Sequence, residues 1–284
     1  MKILLTGRSG QVGWELERQL APLGQVMATD RASLDLGEPG TVASAVRAFG
    51  PDVIVNAAAY TAVDRAEREA QACFAVNAES VGALAQEAAS SGALLVHYST
   101  DYVFDGTKRT PYVETDATAP VSAYGRSKLA GEQQILRSGC RHLILRTSWV
   151  YALRGGNFVL TVLRLARERP QLRVVDDQVG APTWSRDIAG ATLAALDRPD
   201  PLEGLFHVTA GGSTTWFEFA RRIMQVAGLP TPVVPITTSE YPTAAARPAY
   251  SVLDSSRFAA ASGFRIGPWD ERLAACFRQS DPAN

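Results

Sequence analysis

The sequence predicts an α/β fold, a doubly wound parallel sheet followed by a smaller C-terminal lobe. Three observations carry this. Short runs that are apolar on successive positions alternate with helical patterns through residues 1–150, as strands buried on both faces do when helices cover them. A glycine-rich turn, Gly7-Arg8-Ser9-Gly10-Gln11-Val12-Gly13, separates the first run from the first helical pattern. From about residue 150 the chain changes character, and prolines at 199 and 201 and between 230 and 248 interrupt short helices.

Lys2–Thr6 is the first strand, and the helical pattern after the glycines runs through Leu16, Leu20 and Leu23. Gln25–Thr29 is the second strand, ending at Asp30, and residues 52–56, with Val53-Ile54-Val55, make the third. Helices are expected over about residues 66–73 and 76–91, a buried strand over 93–98, a helix near 124–137 and a strand over 143–146. Right-handed crossovers between such strands put helices on both faces of the sheet. Residues 1–150 therefore read as the main domain and 151–284 mainly as the lobe, with 185–197 and 205–208, near 185–210, expected to return to the sheet.

Hydrophobic residues make up 46% of the 284 and charged residues 20%, an ordinary balance for a chain with a full core. A formal net charge of −1 argues against a nucleic-acid or acidic-membrane partner but leaves a small anionic ligand open. The apolar run at the amino terminus is too short for a signal peptide, and no stretch approaches the roughly 20 apolar residues of a membrane span. Cys73, Cys140 and Cys276 are odd in number and far apart. That pattern suits reduced core thiols in the cytoplasm, not a disulfide framework or a zinc site.

Gly7, Gly10 and Gly13 let an anion approach the main chain, and a helix starting at Gln11 aims its free N–H groups and positive dipole end at it. On the first strand–helix junction of a parallel sheet, such an anion is the pyrophosphate of a dinucleotide, which makes the predicted fold Rossmann-type. Asp30, closing the second strand, is placed for the adenosine ribose hydroxyls. Its charge favours NADH, while Arg8 and Arg31 keep NADPH open. The small side chains of Asn56-Ala57-Ala58-Ala59 would let backbone pass close to the cofactor or a helix pack on the sheet.

Tyr124 and Lys128 stand four apart in a predicted helix and so share one face. A tyrosine of pKa about 10 exchanges protons reluctantly near neutrality, and a nearby ammonium is expected to lower that value into a useful range. Thr100 lies at the carboxyl end of a central strand, where open parallel sheets bind ligands, and is the hydroxyl expected to share a substrate carbonyl with Tyr124. Together with the glycine turn this set resembles the extended branch of the short-chain dehydrogenases.

More specific motifs run along the chain. They are Gly10-Gln11-Val12-Gly13-Trp14-Glu15-Leu16, Asn56-Ala57-Ala58-Ala59-Tyr60-Thr61-Ala62-Val63-Asp64, and His97-Tyr98-Ser99-Thr100-Asp101-Tyr102-Val103-Phe104-Asp105-Gly106. Arg146-Thr147-Ser148-Trp149-Val150-Tyr151, Asp177-Gln178-Val179-Gly180-Ala181-Pro182-Thr183 and the Arg247-Pro248 region continue them. From Met1 to about Arg272 the chain resembles the dTDP-4-dehydrorhamnose reductase family. The resemblance implies NAD(P)H-dependent reduction of the C4 ketone of dTDP-4-dehydro-6-deoxy-L-mannose to dTDP-L-rhamnose for cell-surface polysaccharide. It also implies Tyr124 as proton donor, tuned by Lys128 and assisted by Thr100. Gly10, Gln11, Val12, Asp30, Asp35, Leu36, Ala59, Tyr60, Thr61, Tyr98 and Lys128 fall where the family holds NAD(P)H. Thr100, Asp101 and Trp149 fall where it holds the deoxysugar, and Asn157 and Arg247 are the candidate donors to the diphosphate.

Some members of that family are dimers bridged by magnesium on glutamates, one in the Gly-Gln-Val-Gly-Trp-Glu run. Glu15 is present, but Arg186 stands where the second glutamate is expected. This argues against Mg2+ while leaving a homodimer open. Two other functions compete: another nucleotide-sugar ketoreductase or epimerase, and a non-catalytic regulatory module similar to the beta subunit of methionine adenosyltransferase. Intact Thr100, Tyr124 and Lys128 weigh against the binder.

Overall fold

The computed structural model describes residues 1–279. Through the first half run β1 (Lys2–Thr6), α1 (Gln11–Gln19), β2 (Gln25–Thr29), α2 (Pro39–Phe49), β3 (Val53–Asn56), α3 (Val63–Ala66), α4 (Ala70–Phe74), α5 (Ser80–Ser91), β4 (Leu94–Thr100), α6 (Ala123–Ser138) and β5 (His142–Thr147). The second half adds β6 (Val150–Tyr151), α7 (Phe158–Glu168), β7 (Leu172–Val175), β8 (Val179–Gly180), β9 (Thr183–Trp184), α8 (Ser185–Leu196) and β10 (Gly204–His207). After these come β11 (Thr214–Thr215), α9 (Trp216–Ala227), β12 (Val233–Ile236), α10 (Ser256–Ser262) and α11 (Trp269–Gln279).

The central sheet has the order β2-β1-β3-β4-β5-β10, parallel at every pairing. Successive side chains of a strand point to opposite faces, and the sheet builds two cores in this way. Ile3, Leu5, Val53, Val55 and Val96 pack with Leu16 of α1 and Ile188 of α8. On the other face Leu4, Ile54, Leu95 and Ile144 pack with Val42 of α2 and Leu84 of α5. A third core, built on Tyr151, Val159, Leu172, Phe219, Ile223 and Leu273, belongs to the later chain. No helix among the described residues is long and apolar enough to cross a membrane.

The first two strands stand where the apolar runs put them, and β4 runs on to Thr100. Residues 185–197 return as α8, which packs on α1, and β10 joins the sheet beside β5. Two elements differ from the sequence reading. The helix α2 was not among those read, because Pro39-Gly40 looks like a turn; proline instead opens the helix, where its missing N–H costs nothing. The pattern over 66–73 breaks into α3 and α4, and a π-helical turn, Ala75–Glu79, joins α4 to α5. Inside that turn the Asn77 side chain bonds both the N–H (2.9 Å) and the carbonyl (3.0 Å) of Tyr60, a long-range demand that helical periodicity does not show. Insertions of this kind favour functional sites.

Candidate active site

The β1–α1 turn is shaped by contacts that only glycine permits. Gly7 has φ +77°, and a Cβ on it would lie 2.6 Å from the Ala58 backbone nitrogen. A Cβ on Gly13 would lie 2.1 Å from the Gly7 carbonyl, so α1 begins hard against the turn. Gly10 precedes that helix and offers no side-chain cap, leaving the first N–H groups, those of Gln11 and Val12 among them, for an outside anion. A dinucleotide pyrophosphate fits this cradle.

Asp30 sits at the end of β2 with its carboxylate taking Ala32 N–H, Ser33 N–H and the Ser33 hydroxyl at 3.0–3.1 Å. The Ser33 hydroxyl first, then its backbone N–H, hold Asp30 below the usual carboxylate range. Asp35 accepts from Gly37 N–H at 2.7 Å and, beside Arg31, is likewise lowered. Arg8 pairs with Glu17 and Arg31 with Asp35, so both guanidiniums expected to offset a 2′-phosphate already have partners. Leu36 is a core side chain whose carbonyl accepts from the Ser80 hydroxyl. Ala59, Tyr60 and Thr61 follow β3, with the Tyr60 hydroxyl on Glu69. The Tyr98 hydroxyl is bonded to Thr192 of α8 at 2.6 Å, and its ring is in the core.

Ser122 caps α6 by accepting from Gly125 N–H at 3.1 Å, which fixes the turn carrying Tyr124. Two glycines bring this helix close: a Cβ on Gly125 or on Gly131 would lie 2.2 Å from the carbonyl of Tyr102 or Asn77 respectively. Tyr124 is half-buried beside the Thr100 hydroxyl, and desolvation pushes its phenol well up, with Thr100 opposing. Thr100 donates to Asp101 Oδ1 at 2.9 Å and accepts from Tyr102 N–H at 3.1 Å. Asp101 is raised to about 6 by burial, with Ser251 and Thr100 opposing.

The ammonium expected to acidify Tyr124 is turned elsewhere. Lys128 Nζ lies 3.1 Å from His97 Nε2, and desolvation is the largest influence on the phenol. Burial lowers the lysine to about 8. Sharing a helical face brings two side chains near each other, but a four-carbon stem reaches the best acceptor, here on β4. A phenol kept protonated is the form that can give a proton away.

Thr100, Tyr124, Asp101, Gln11, Thr61 and Trp149 line one cavity of about 590 Å³ between the carboxyl edge of the sheet and the later chain. Trp149 has φ +46°, the one positive value outside glycine among the described residues, and strain of this sort collects at functional sites. Its ring stacks on Trp216 with centroids 3.5 Å apart and covers Gly180, where a Cβ would meet the indole at 2.4 Å. Asn157 and Arg247 line the same cavity; the Asn157 amide is fully engaged, and Arg247 is engaged through Nη1 and one bond from Nη2. Asn157 holds Gln11 Oε1 at 2.9 Å and the carbonyls of Ala152 and Arg154. Arg247 grips Asp64 at 2.7 and 3.1 Å together with Thr243 and the Ala245 carbonyl. Sequence reasoning passed over Arg169, which also lines the cavity and makes no ion pair among the described residues.

Residues 1–281 match the family described as the RmlD substrate binding domain. A dTDP-4-dehydrorhamnose reductase of Burkholderia thailandensis is 49% identical, with 98% of each chain covered. The chain belongs to the dTDP-4-dehydrorhamnose reductase family. Solved structures of this reductase agree in shape. That from Clostridium acetobutylicum superposes with TM-score 0.93 at 38% identity, covering 98% of this chain and 99% of its own. That from Bacillus anthracis, in complex with NADP, gives 0.94 at 36% with the same coverage. Burial raises the Glu15 carboxyl, with Arg186, Arg18 and Arg154 opposing. Arginine already supplies positive charge beside that glutamate.

Proposed function

We propose that this chain reduces the C4 ketone of dTDP-4-dehydro-6-deoxy-L-mannose to dTDP-L-rhamnose with NADH or NADPH, in the cytoplasm, toward cell-surface polysaccharide. One observation carries the reading: the Tyr124 phenol, half-buried and lining a cavity with Thr100, in a site that the glycine cradle adjoins. Gly7, Gly10, Gln11, Val12 and Gly13 would hold the cofactor's pyrophosphate, Asp30 the adenosine ribose, and Ala59, Tyr60 and Thr61 the span between. Bound there, the nicotinamide supplies the hydride for the ketone carbon.

The chain's own part is proton and position. Tyr124 gives its phenolic proton to the ketone oxygen, so no alkoxide accumulates in a low-dielectric site. Thr100 holds the same oxygen once its O–H turns from Asp101 Oδ1, and the Lys128 charge, one helical turn away, favours the phenolate left behind. Trp149, on its strained backbone, forms a wall for the deoxysugar, and Asp101 is placed to take a sugar hydroxyl. Arg169 joins Arg247 as our candidate for the diphosphate, while the Asn157 amide is spent on Gln11 and two carbonyls. The test is to mix the purified protein with the ketosugar nucleotide and each reduced cofactor and to identify the product by NMR. Oxidation of NADH or NADPH with formation of the rhamnose nucleotide is expected; a silent reaction with both would remove the assignment.

A further inference from the structure

We infer that His97 is a positioning residue for this reaction: it receives the Lys128 head group on Nε2, holds it one helical turn from Tyr124, and governs how firmly that lysine keeps its proton. The inference rests on the reductase reading above, which makes Lys128 part of the chemistry.

The geometry is a buried chain across three strands and a helix. Thr6 faces Asn56 in the β1–β3 register and Asn56 faces His97 in the β3–β4 register, so all three side chains share one face of the sheet. Thr6 Oγ1 lies 2.6 Å from Asn56 Oδ1, Asn56 Nδ2 lies 3.1 Å from His97 Nδ1, and His97 Nε2 lies 3.1 Å from Lys128 Nζ. Each of the four residues is at most 2% exposed. A histidine in an otherwise apolar strand is usually a satisfied core residue; here its outer nitrogen ends on the lysine of the site.

Neutral imidazole donates from one nitrogen and accepts at the other. His97 is kept neutral by burial and by the Lys128 charge beside it. An ammonium only donates, so with Lys128 charged Nε2 must accept and the ring proton sits on Nδ1. Asn56 then turns its oxygen to Nδ1 and its amide nitrogen to Thr6 Oγ1. When Lys128 gives up its proton the polarity reverses: Thr6 donates to the Asn56 oxygen, Asn56 to Nδ1, and Nε2–H to the amine. Each link from Thr6 to Lys128 is a hydrogen bond in both states, which limits the cost of unpaired buried groups. The other groups facing Lys128 are Glu132 and Cys73, which favour its charge. Glu132 is held by Arg146 at 2.6 and 2.8 Å, and the Cys73 thiol is raised by burial. Neither is bonded to the ammonium, so His97 is its acceptor.

Two variants and one spectrum test this. Removing the acceptor in His97→Leu leaves a buried ammonium unpaired, so its proton leaves more easily. The alkaline limb of kcat is expected to move down by roughly one pH unit and kcat to fall about tenfold, with cofactor affinity little changed. His97→Gln restores a carbonyl acceptor and should return the limb most of the way. A His97→Leu limb at its wild-type position, or His97→Gln behaving like His97→Leu, overturns the inference. In case His97→Leu does not fold, 15N NMR of the wild-type ring is the second arm. Nε2 is expected as the unprotonated nitrogen below about pH 8, exchanging roles with Nδ1 as Lys128 titrates; Nε2 protonated throughout overturns it. If neither cofactor supports turnover of the ketosugar, the reductase reading falls and takes the catalytic role with it, while the spectrum still decides the lysine–imidazole link.

Discussion

Tyr124 carries the chemistry on a single oxygen, and its removal should separate binding from turnover. Tyr124→Phe is expected to lose about 10²–10⁴-fold in kcat while cofactor affinity, read by titration of protein fluorescence, stays near wild type. Unimpaired single-turnover kinetics would strip Tyr124 of its role. Asp101 is the residue with a pH signature of its own. Its folded-state value, about 6, lies above the ordinary 3.8, so the folded protein binds the extra proton. The penalty is absent below about pH 4, grows as pH rises through the interval, and is complete above about 6. Asp101→Asn should therefore stabilise the protein at pH 7 by on the order of 2 kcal/mol and by little at pH 4. Equal shifts in melting temperature at both pH values would contradict this.

Elements matter here through the closeness of their approach. Helix α1 starts where Gly13 touches the Gly7 carbonyl, and Gly13→Ala would have to open that contact from 2.1 Å. Overpacking of this kind costs about 1–3 kcal/mol and backs the helix away from the turn. Loss of thermal stability together with weaker cofactor binding is expected, measured by melting curves with and without NADPH; a variant that melts and binds like wild type would show that the turn yields freely. The glycine spacing, the first two strands and the Tyr124–Lys128 interval were all legible from neighbours in the chain. Helix α2 was hidden by its Pro-Gly opening, and the π-helical turn by its dependence on Tyr60, 17 residues from Asn77.

Across the whole molecule, Asp64 and Arg247 tie α3 to the last third of the chain. The pair is partly exposed, with side chains 44% and 21% accessible, so its contribution to stability is set at about 1 kcal/mol. Its larger effect should be on the shape of the cavity that Arg247 lines. Asp64→Ala is expected to raise KM for the sugar nucleotide by roughly fivefold, the equivalent of about 1 kcal/mol, with KM for the cofactor almost unmoved. A change confined to the cofactor would place the pair on the other ligand. Arg247 was readable as a cation near the site, and its commitment to a carboxylate was not.

By itself the sequence determined the parallel α/β architecture, the anion-binding turn and the presence of a hydroxyl–tyrosine–lysine set. These follow from apolar periodicity, from the freedom of glycine and from side chains spaced along one helix, all of them local properties. Tertiary structure alone decided whom the polar groups serve. Lys128 answers to His97 across 31 residues, Asn157 to Gln11 across 146, and Arg247 to Asp64 across 183. A buried donor takes the acceptor that packing brings within reach, and distance along the chain carries no record of that choice.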